Sequence, residues 1–80
     1  MSADYRVLER TVEELRDRID RLILSQKGSF SVEEIRDKAF FRYWGDEEVF
    51  RTVLTEMERI YGTGALIRDG DGRYRVRDFN

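Results

Sequence analysis

Apolar residues recur at gaps of three and four along the first third of the chain. Between about Ala3 and Gln26 they occupy six such positions: Tyr5, Leu8, Val12, Leu15, Ile19 and Leu22. These gaps are the a/d pattern of a coiled coil, and β-branched residues at a with leucine at d favour two strands. The pattern predicts one long helix whose six apolar residues form a dimer interface. The alternative is a long first helix that packs entirely on its own domain.

A second, shorter helix is predicted from about Val32 to Phe40. Ser31 suits the N-cap position, and Glu34 stands three residues later, which is the spacing of a capping box. We expect the core to receive four side chains from this segment: Val32, Ile35, Ala39 and Phe40. The connection that follows is short and aromatic. At least one of Phe41, Tyr43 and Trp44 is expected to be exposed there, as a candidate contact site.

A third helix is predicted over residues 46–61, followed by a hairpin. Asp46 is the expected N-cap, with two further acids in the first turn, where the helix dipole favours negative charge. The apolar residues form one continuous stripe: Val49, Phe50, Val53, Leu54, Met57, Ile60 and Tyr61. The period then changes to two. Residues 65–68 and 73–79 are predicted strands, and DGDG between them has the composition of a turn.

This order of elements resembles the winged-helix (winged helix-turn-helix) superfamily over about residues 15–79. The resemblance rests on the SFSVEEI entry into the second helix, the amphipathic third helix, and ALIRDGDGRYRV in the place of the wing. It implies an α+β fold of three helices and a C-terminal hairpin for a domain at 15–80, with room for a short third strand at 29–31. Residues 1–14 would extend the first helix for dimerisation. Many relatives bind DNA through the third helix and the wing, while others bind proteins, so the resemblance leaves the function open.

The charge distribution predicts no strong general attraction to nucleic acid. The formal net charge is −2 at pH 7, and the predicted third helix holds five acids and two bases. DNA-reading relatives usually carry a basic or polar third helix. Capping explains the acids of the first turn. It does not explain Glu56 and Glu58.

The arginines of the hairpin are the strongest signal for nucleic-acid binding. Arg73, Arg75 and Arg77 alternate along one strand face, with Arg68 across the turn, and such a row can follow a phosphate backbone or enter a minor groove. The alternative is a charged strand that resists unwanted pairing. In the DNA-binding interpretation, further residues contact the phosphate backbone (Arg36, Lys38 and Arg42) or lie nearest the base edges (Arg51, Thr52 and Thr55). A solvated helix face with local side-chain pairs explains the last three at least as well.

Two functions are therefore predicted. The first is a small dimeric DNA-binding protein, such as a transcriptional regulator, that contacts double-stranded DNA mainly through the wing. The alternative is a protein-interaction or assembly module that uses the acidic third helix or the aromatic connection at 40–44.

Other classes of function are not expected. The chain has no histidine, no cysteine and no phosphate-binding or nucleophile motif, so we expect no catalytic residue, metal, cofactor or small-molecule ligand. Without a long apolar run it should not cross or bind a membrane, and we expect it in the cytoplasm or elsewhere inside the cell.

Overall fold

The computed structural model describes residues 11–77 as three helices followed by a two-stranded hairpin. In chain order the elements are α1 (Val12–Leu24), α2 (Val32–Lys38), α3 (Asp46–Gly62), β1 (Leu66–Arg68) and β2 (Tyr74–Val76). The predicted α+β class is confirmed, and the order of the elements is compatible with winged-helix topology.

Helix α1 begins at Val12 because Thr11 caps it. Thr11 is extended, its Oγ1 accepts a hydrogen bond from the Glu14 amide at 3.1 Å, and the Glu14 carboxylate accepts one from the Thr11 amide at 3.1 Å. This reciprocal pair is a capping box. The prediction of one unbroken helix from Ala3 is therefore wrong at Thr11, where the backbone leaves the helical conformation. Its part within residues 1–10 lies outside the described residues.

The other two helices are also capped by hydrogen bonds between a side chain and a backbone amide. Ser31 and Glu34 form the predicted box at the start of α2, with bonds of 3.1 and 3.0 Å. The N-cap of α3 is Gly45 rather than the predicted Asp46, because the Glu48 carboxylate reaches back to the Gly45 amide at 3.1 Å. Asp46 becomes the first helical residue, where its charge still favours the helix dipole.

A single core lies where α1 and α2 pack against α3 and the hairpin closes one end. Its buried apolar residues are Leu15, Ile19, Ile23, Phe30, Ile35, Phe41, Val49, Val53, Met57, Ile60, Leu66 and Tyr74. Phe40 was expected in this core, and that prediction is wrong. Helix α2 ends at Lys38 and Ala39 is extended, so the chain turns Phe41 inward and leaves Phe40 85% exposed.

The hairpin is antiparallel, with Leu66 opposite Val76 and Arg68 opposite Tyr74. The expected strand at 29–31 is present only as one bridge, in which Phe30 exchanges both backbone hydrogen bonds with Tyr74 at 2.8 and 2.7 Å. Tyr74 thus joins the hairpin to the segment before α2. Within residues 11–77, no helix is long and apolar enough to cross a membrane.

Candidate interaction surface

The two faces of the hairpin carry different arginines. Directly opposed residues of an antiparallel pair point to the same face. Arg68 is opposite Tyr74 and so lies on the inner face, whereas Arg75 is opposite Ile67 on the outer face. The alternation along the chain places Arg73 and Arg77 on the outer face with Arg75. The row of wing arginines therefore excludes Arg68.

Arg68 holds the hairpin against α3. Its guanidinium donates to the Glu58 carboxylate at 2.7 Å and to the Tyr74 hydroxyl at 2.9 Å, and it lies 4.4 Å from the ring centre of Tyr61. The Tyr74 hydroxyl in turn donates to Glu58 at 3.1 Å. The hydrogen bond with Tyr74, more than the charge of Glu58, raises the pKa of Arg68. Glu58 is thus explained by a contact within the chain.

Arg73 forms hydrogen bonds with residues near the start of α2. Its guanidinium donates to the Ser29 carbonyl at 2.9 Å and to the Glu34 carboxylate at 2.9 Å. That hydrogen bond from Arg73, followed by the backbone of Ser31, lowers the pKa of Glu34. An arginine already paired with a carboxylate contributes little additional attraction to a phosphate.

The remaining two wing arginines are more accessible. Arg77 donates through Nε to the Gly64 carbonyl at 2.6 Å, which leaves its two terminal nitrogens for other contacts. Arg75 is exposed and makes no side-chain hydrogen bond or ion pair with residues 11–77. The outer face of the hairpin thus leaves two of the four predicted arginines accessible.

The three residues predicted to contact the DNA phosphate backbone, on α2 and just after it, are only partly available for such contacts. The Arg36 guanidinium lies 5.3 Å from the ring centre of Phe50 and pairs with the adjacent Asp37 at 3.2 Å. Lys38 donates to the side chain of Gln26 at 2.7 Å. Arg42 is exposed on the turn that leads to α3.

The residues expected nearest base edges have local partners on α3. Arg51 is 3.8 Å from the Glu47 carboxylate, and the Thr52 hydroxyl donates to the Glu48 carbonyl at 2.8 Å. The Thr55 hydroxyl donates to the Arg51 carbonyl at 3.0 Å. Both hydroxyl protons are therefore used within the helix, and the exposed face of α3 offers few donors to a DNA base.

Glu56 is the least expected residue of α3, because it is buried, with 1% of its surface exposed. Its Oε1 accepts a hydrogen bond from Arg59 Nε at 2.8 Å, and Arg59 Nη2 donates to Asp20 on α1 at 2.6 Å. Burial, then the neighbouring Glu56, raises the pKa of Asp20 to about 6. A sequence signal existed: Glu56 stands three residues after Val53, on the buried stripe.

The aromatic turn, residues 40–44, presents two rings to solvent. Phe40 is 85% exposed and Tyr43 is 48% exposed. Phe41 is buried beneath the Arg18 guanidinium, which lies 5.0 Å from its ring centre, and Trp44 packs partly against the core. The expectation of one exposed ring among Phe41, Tyr43 and Trp44 is met by Tyr43. Phe40, the most exposed, belongs to the predicted connection at 40–44, but its exposure was not predicted because α2 was expected to bury it in the core.

The residues predicted to form a dimer interface differ in how far they are buried in the chain's own core. Leu15 and Ile19 are buried in the chain's own core, Leu22 is partly buried against it, and Val12 is 49% exposed. While the domain keeps this fold, the first two have no surface to offer a second copy. The remaining two predicted residues, Tyr5 and Leu8, lie outside the described residues. Dimerisation thus stays a prediction.

Within residues 11–77, no group of three or more acidic side chains is arranged to hold a metal ion. Comparison with protein-family models, with curated proteins and with solved structures found no match.

Proposed function

We propose that this domain is a protein-interaction module of winged-helix type that binds a protein partner through its aromatic turn. The observation that carries the proposal is the 85% exposure of Phe40, three residues before the exposed ring of Tyr43. Large exposed apolar side chains are typical of interaction sites, and aromatic side chains that become buried supply much of the energy of such interfaces.

The neighbours of Phe40 fix the backbone of the turn before a partner binds. Phe41 is fixed in the core under Arg18, and Trp44 packs against the same core. The extended backbone at Ala39 turns Phe40 away from them. Because the turn is anchored on both sides, binding would order few additional groups, and a small entropic cost favours affinity.

Charge near the turn suggests the chemistry of the partner. The exposed Asp46 and Glu47 begin α3 directly after the turn, and Arg42 lies within the turn itself. The polar groups on the exposed face of α3 are largely used within the helix. A partner with an apolar pocket for Phe40 and a basic rim facing Asp46 and Glu47 would be complementary.

Binding of double-stranded DNA by the wing is the second candidate, favoured by the exposed Arg75 and Arg77. Its affinity would be low and sensitive to salt, because few unpaired arginines would displace counterions from phosphates. The carboxylates bound to Arg68 and Arg73 reduce the positive potential further.

Phe40→Ser tests the first candidate without disturbing the core. Partners retained by the immobilised chain from a lysate of the source cells would be identified, purified and titrated against each variant by calorimetry. We expect Phe40→Ser to weaken the interaction about thirtyfold, the effect of losing a hot-spot contact of about 2 kcal/mol. Leu24→Ser, at another exposed apolar side chain, is the matched control and should bind like the wild type.

Two results would overturn the proposal. One is a partner that binds Phe40→Ser as tightly as the wild type. The other is duplex DNA binding, measured by fluorescence anisotropy at low salt, that the double variant Arg75→Ala, Arg77→Ala abolishes while Phe40→Ser leaves it intact. The second result would establish the wing as the functional surface.

A further inference from the structure

Two carboxylate oxygens are buried between α1 and α3 without a hydrogen-bond donor among residues 11–77. They are Oδ1 of Asp20 and Oε2 of Glu56. The other oxygen of each carboxylate is bound by Arg59, through Nη2 to Asp20 at 2.6 Å and through Nε to Glu56 at 2.8 Å. One guanidinium therefore serves two acidic groups.

The charges around the pair do not supply the missing donor. Glu13, Arg16 and Asp17 of α1 line the same open depression of about 430 Å³ with Asp20, Glu56 and Arg59. Arg16 is the additional cation of that lining, and it is exposed and forms no ion pair with either carboxylate. The lining therefore holds more acids than bases, which disfavours two ionised carboxylates in contact.

Because one guanidinium binds both carboxylates, at 2.6 and 2.8 Å, the side chains of Asp20 and Glu56 lie close to each other. Ionised carboxylates only accept hydrogen bonds, so two such groups repel where they meet. A carboxyl group that keeps its proton can donate to a neighbouring carboxylate, which gives a short, strong hydrogen bond. A single proton would therefore satisfy both unpartnered oxygens.

We propose that Asp20 and Glu56 share one proton in the folded chain, and that its release loosens the contact between α1 and α3, making the pair a pH-sensitive device. Protonated, the cluster is one carboxyl, one carboxylate and one guanidinium, with no net charge. Deprotonated, it carries a net negative charge in a partly buried site, where burial penalises ions.

The direction of the pH effect follows from the difference between folded and unfolded chains. The pKa of Asp20 rises from its ordinary value of 3.8 to about 6 on folding, chiefly through burial and then through Glu56. The folded chain therefore holds a proton that the unfolded chain has released, and the stability it contributes is lost as pH rises from about 4 through 6. A shift of two pH units sets a ceiling of about a hundredfold on the unfolding constant. Solvent contact at Asp20 reduces the expected change to about tenfold.

The test begins with the wild-type chain and needs no variant that could fail to fold. Carbon-13 NMR of the Asp20 carboxyl should show a titration near pH 6. In Glu56→Gln the pKa of Asp20 should fall by a unit or more, because the acidic neighbour is gone and Arg59 remains. A midpoint near 4 in the wild type, or an unchanged midpoint in Glu56→Gln, would overturn the shared proton.

Stability measurements test the consequence for the fold. Between pH 4.5 and 8, the unfolding constant of the wild type should rise about tenfold relative to that of Asp20→Asn, whose amide can donate to Glu56 at every pH. Asp37→Asn, at an exposed carboxylate on α2, is the control and should keep the wild-type pH dependence. If Asp20→Asn also keeps that dependence, the pair is not the pH-sensitive element.

Discussion

Leu15→Ala and Val12→Ala distinguish between a helix that packs on its own domain and a helix that dimerises. The two residues are adjacent a and d positions of the apolar pattern, so a two-stranded coiled coil would bury both. In the structure of the single chain, Leu15 is 1% exposed and Val12 is 49% exposed. The variants should therefore have very different effects if the structure of the single chain is also its state in solution.

The magnitudes follow from burial. Removing a fully buried leucine side chain to alanine costs about 2–5 kcal/mol, and we expect about 3 kcal/mol for Leu15→Ala. A domain of 80 residues has a free energy of unfolding of only about 4–12 kcal/mol, so this is a large fraction. Val12→Ala removes half-exposed methyl groups and introduces a better helix former, so its effect should stay within about 0.5 kcal/mol.

Urea denaturation followed by circular dichroism, at two protein concentrations a hundredfold apart, is the assay. With a slope of about 1 kcal/mol/M, Leu15→Ala should lower the midpoint by about 3 M, and Val12→Ala should hardly move it. All midpoints should be independent of concentration. If Leu15→Ala is too unstable to measure, Ile23→Val at another buried position should lose about 1 kcal/mol.

A dimer held by the a/d stripe gives the opposite pattern. Its midpoint rises with protein concentration, because association stabilises the folded form by mass action. Val12→Ala would then lose about as much stability as Leu15→Ala, and light scattering would give twice the monomer mass. These results together would refute the interpretation that the stripe serves the core of a single chain.

Three further variants test contacts elsewhere in the chain. Tyr74→Phe removes a buried hydroxyl that accepts from Arg68, and urea denaturation should show a loss of about 1 kcal/mol. The hydrogen bond from Arg73 lowers the pKa of Glu34 below its ordinary 4.5. The stability from this pair is therefore present above pH 4.5 and is lost as the pH falls through the lowered pKa. Glu34→Gln should flatten this part of an acid titration followed by circular dichroism. Gly72 has a φ of 78°, so Gly72→Ala should cost about 1–2 kcal/mol in thermal denaturation, and an unchanged midpoint would show that the turn adapts.

Local chemistry explains the predictions that succeeded. The capping box of Ser31 and Glu34 lies within four residues, and the change from helical to alternating period marks the hairpin. The box of Thr11 and Glu14 is equally local, but the heptad pattern runs across it and predicts one continuous helix. A period of apolar residues continues through a break in the backbone, so periodicity alone does not locate the end of a helix.

Which rings of the aromatic turn are buried depends on the residue at which α2 ends. The sequence shows aromatic residues in the connection between two predicted helices, but residue type alone does not tell which of these rings is buried. One residue of extended backbone at Ala39 reverses which of Phe40 and Phe41 enters the core. The aromatic connection at 40–44 was predicted as a contact site, but the exposure of Phe40 within it was predicted wrongly because of a small error in a helix boundary.

The sequence by itself determined the α+β class, the order of the elements and the outer row of wing arginines, because periodicity and turn composition act over a few residues. Tertiary structure alone decided how the charges are used. Arg68 pairs with Glu58, Arg73 with Glu34, and Arg59 with Asp20, and in each pair the two residues belong to different parts of the fold. Two acids of α3, Glu58 and Glu56, are therefore held by arginines of the same chain. Whether a charge is available to a partner depends on which distant side chain lies beside it, and only packing sets that distance.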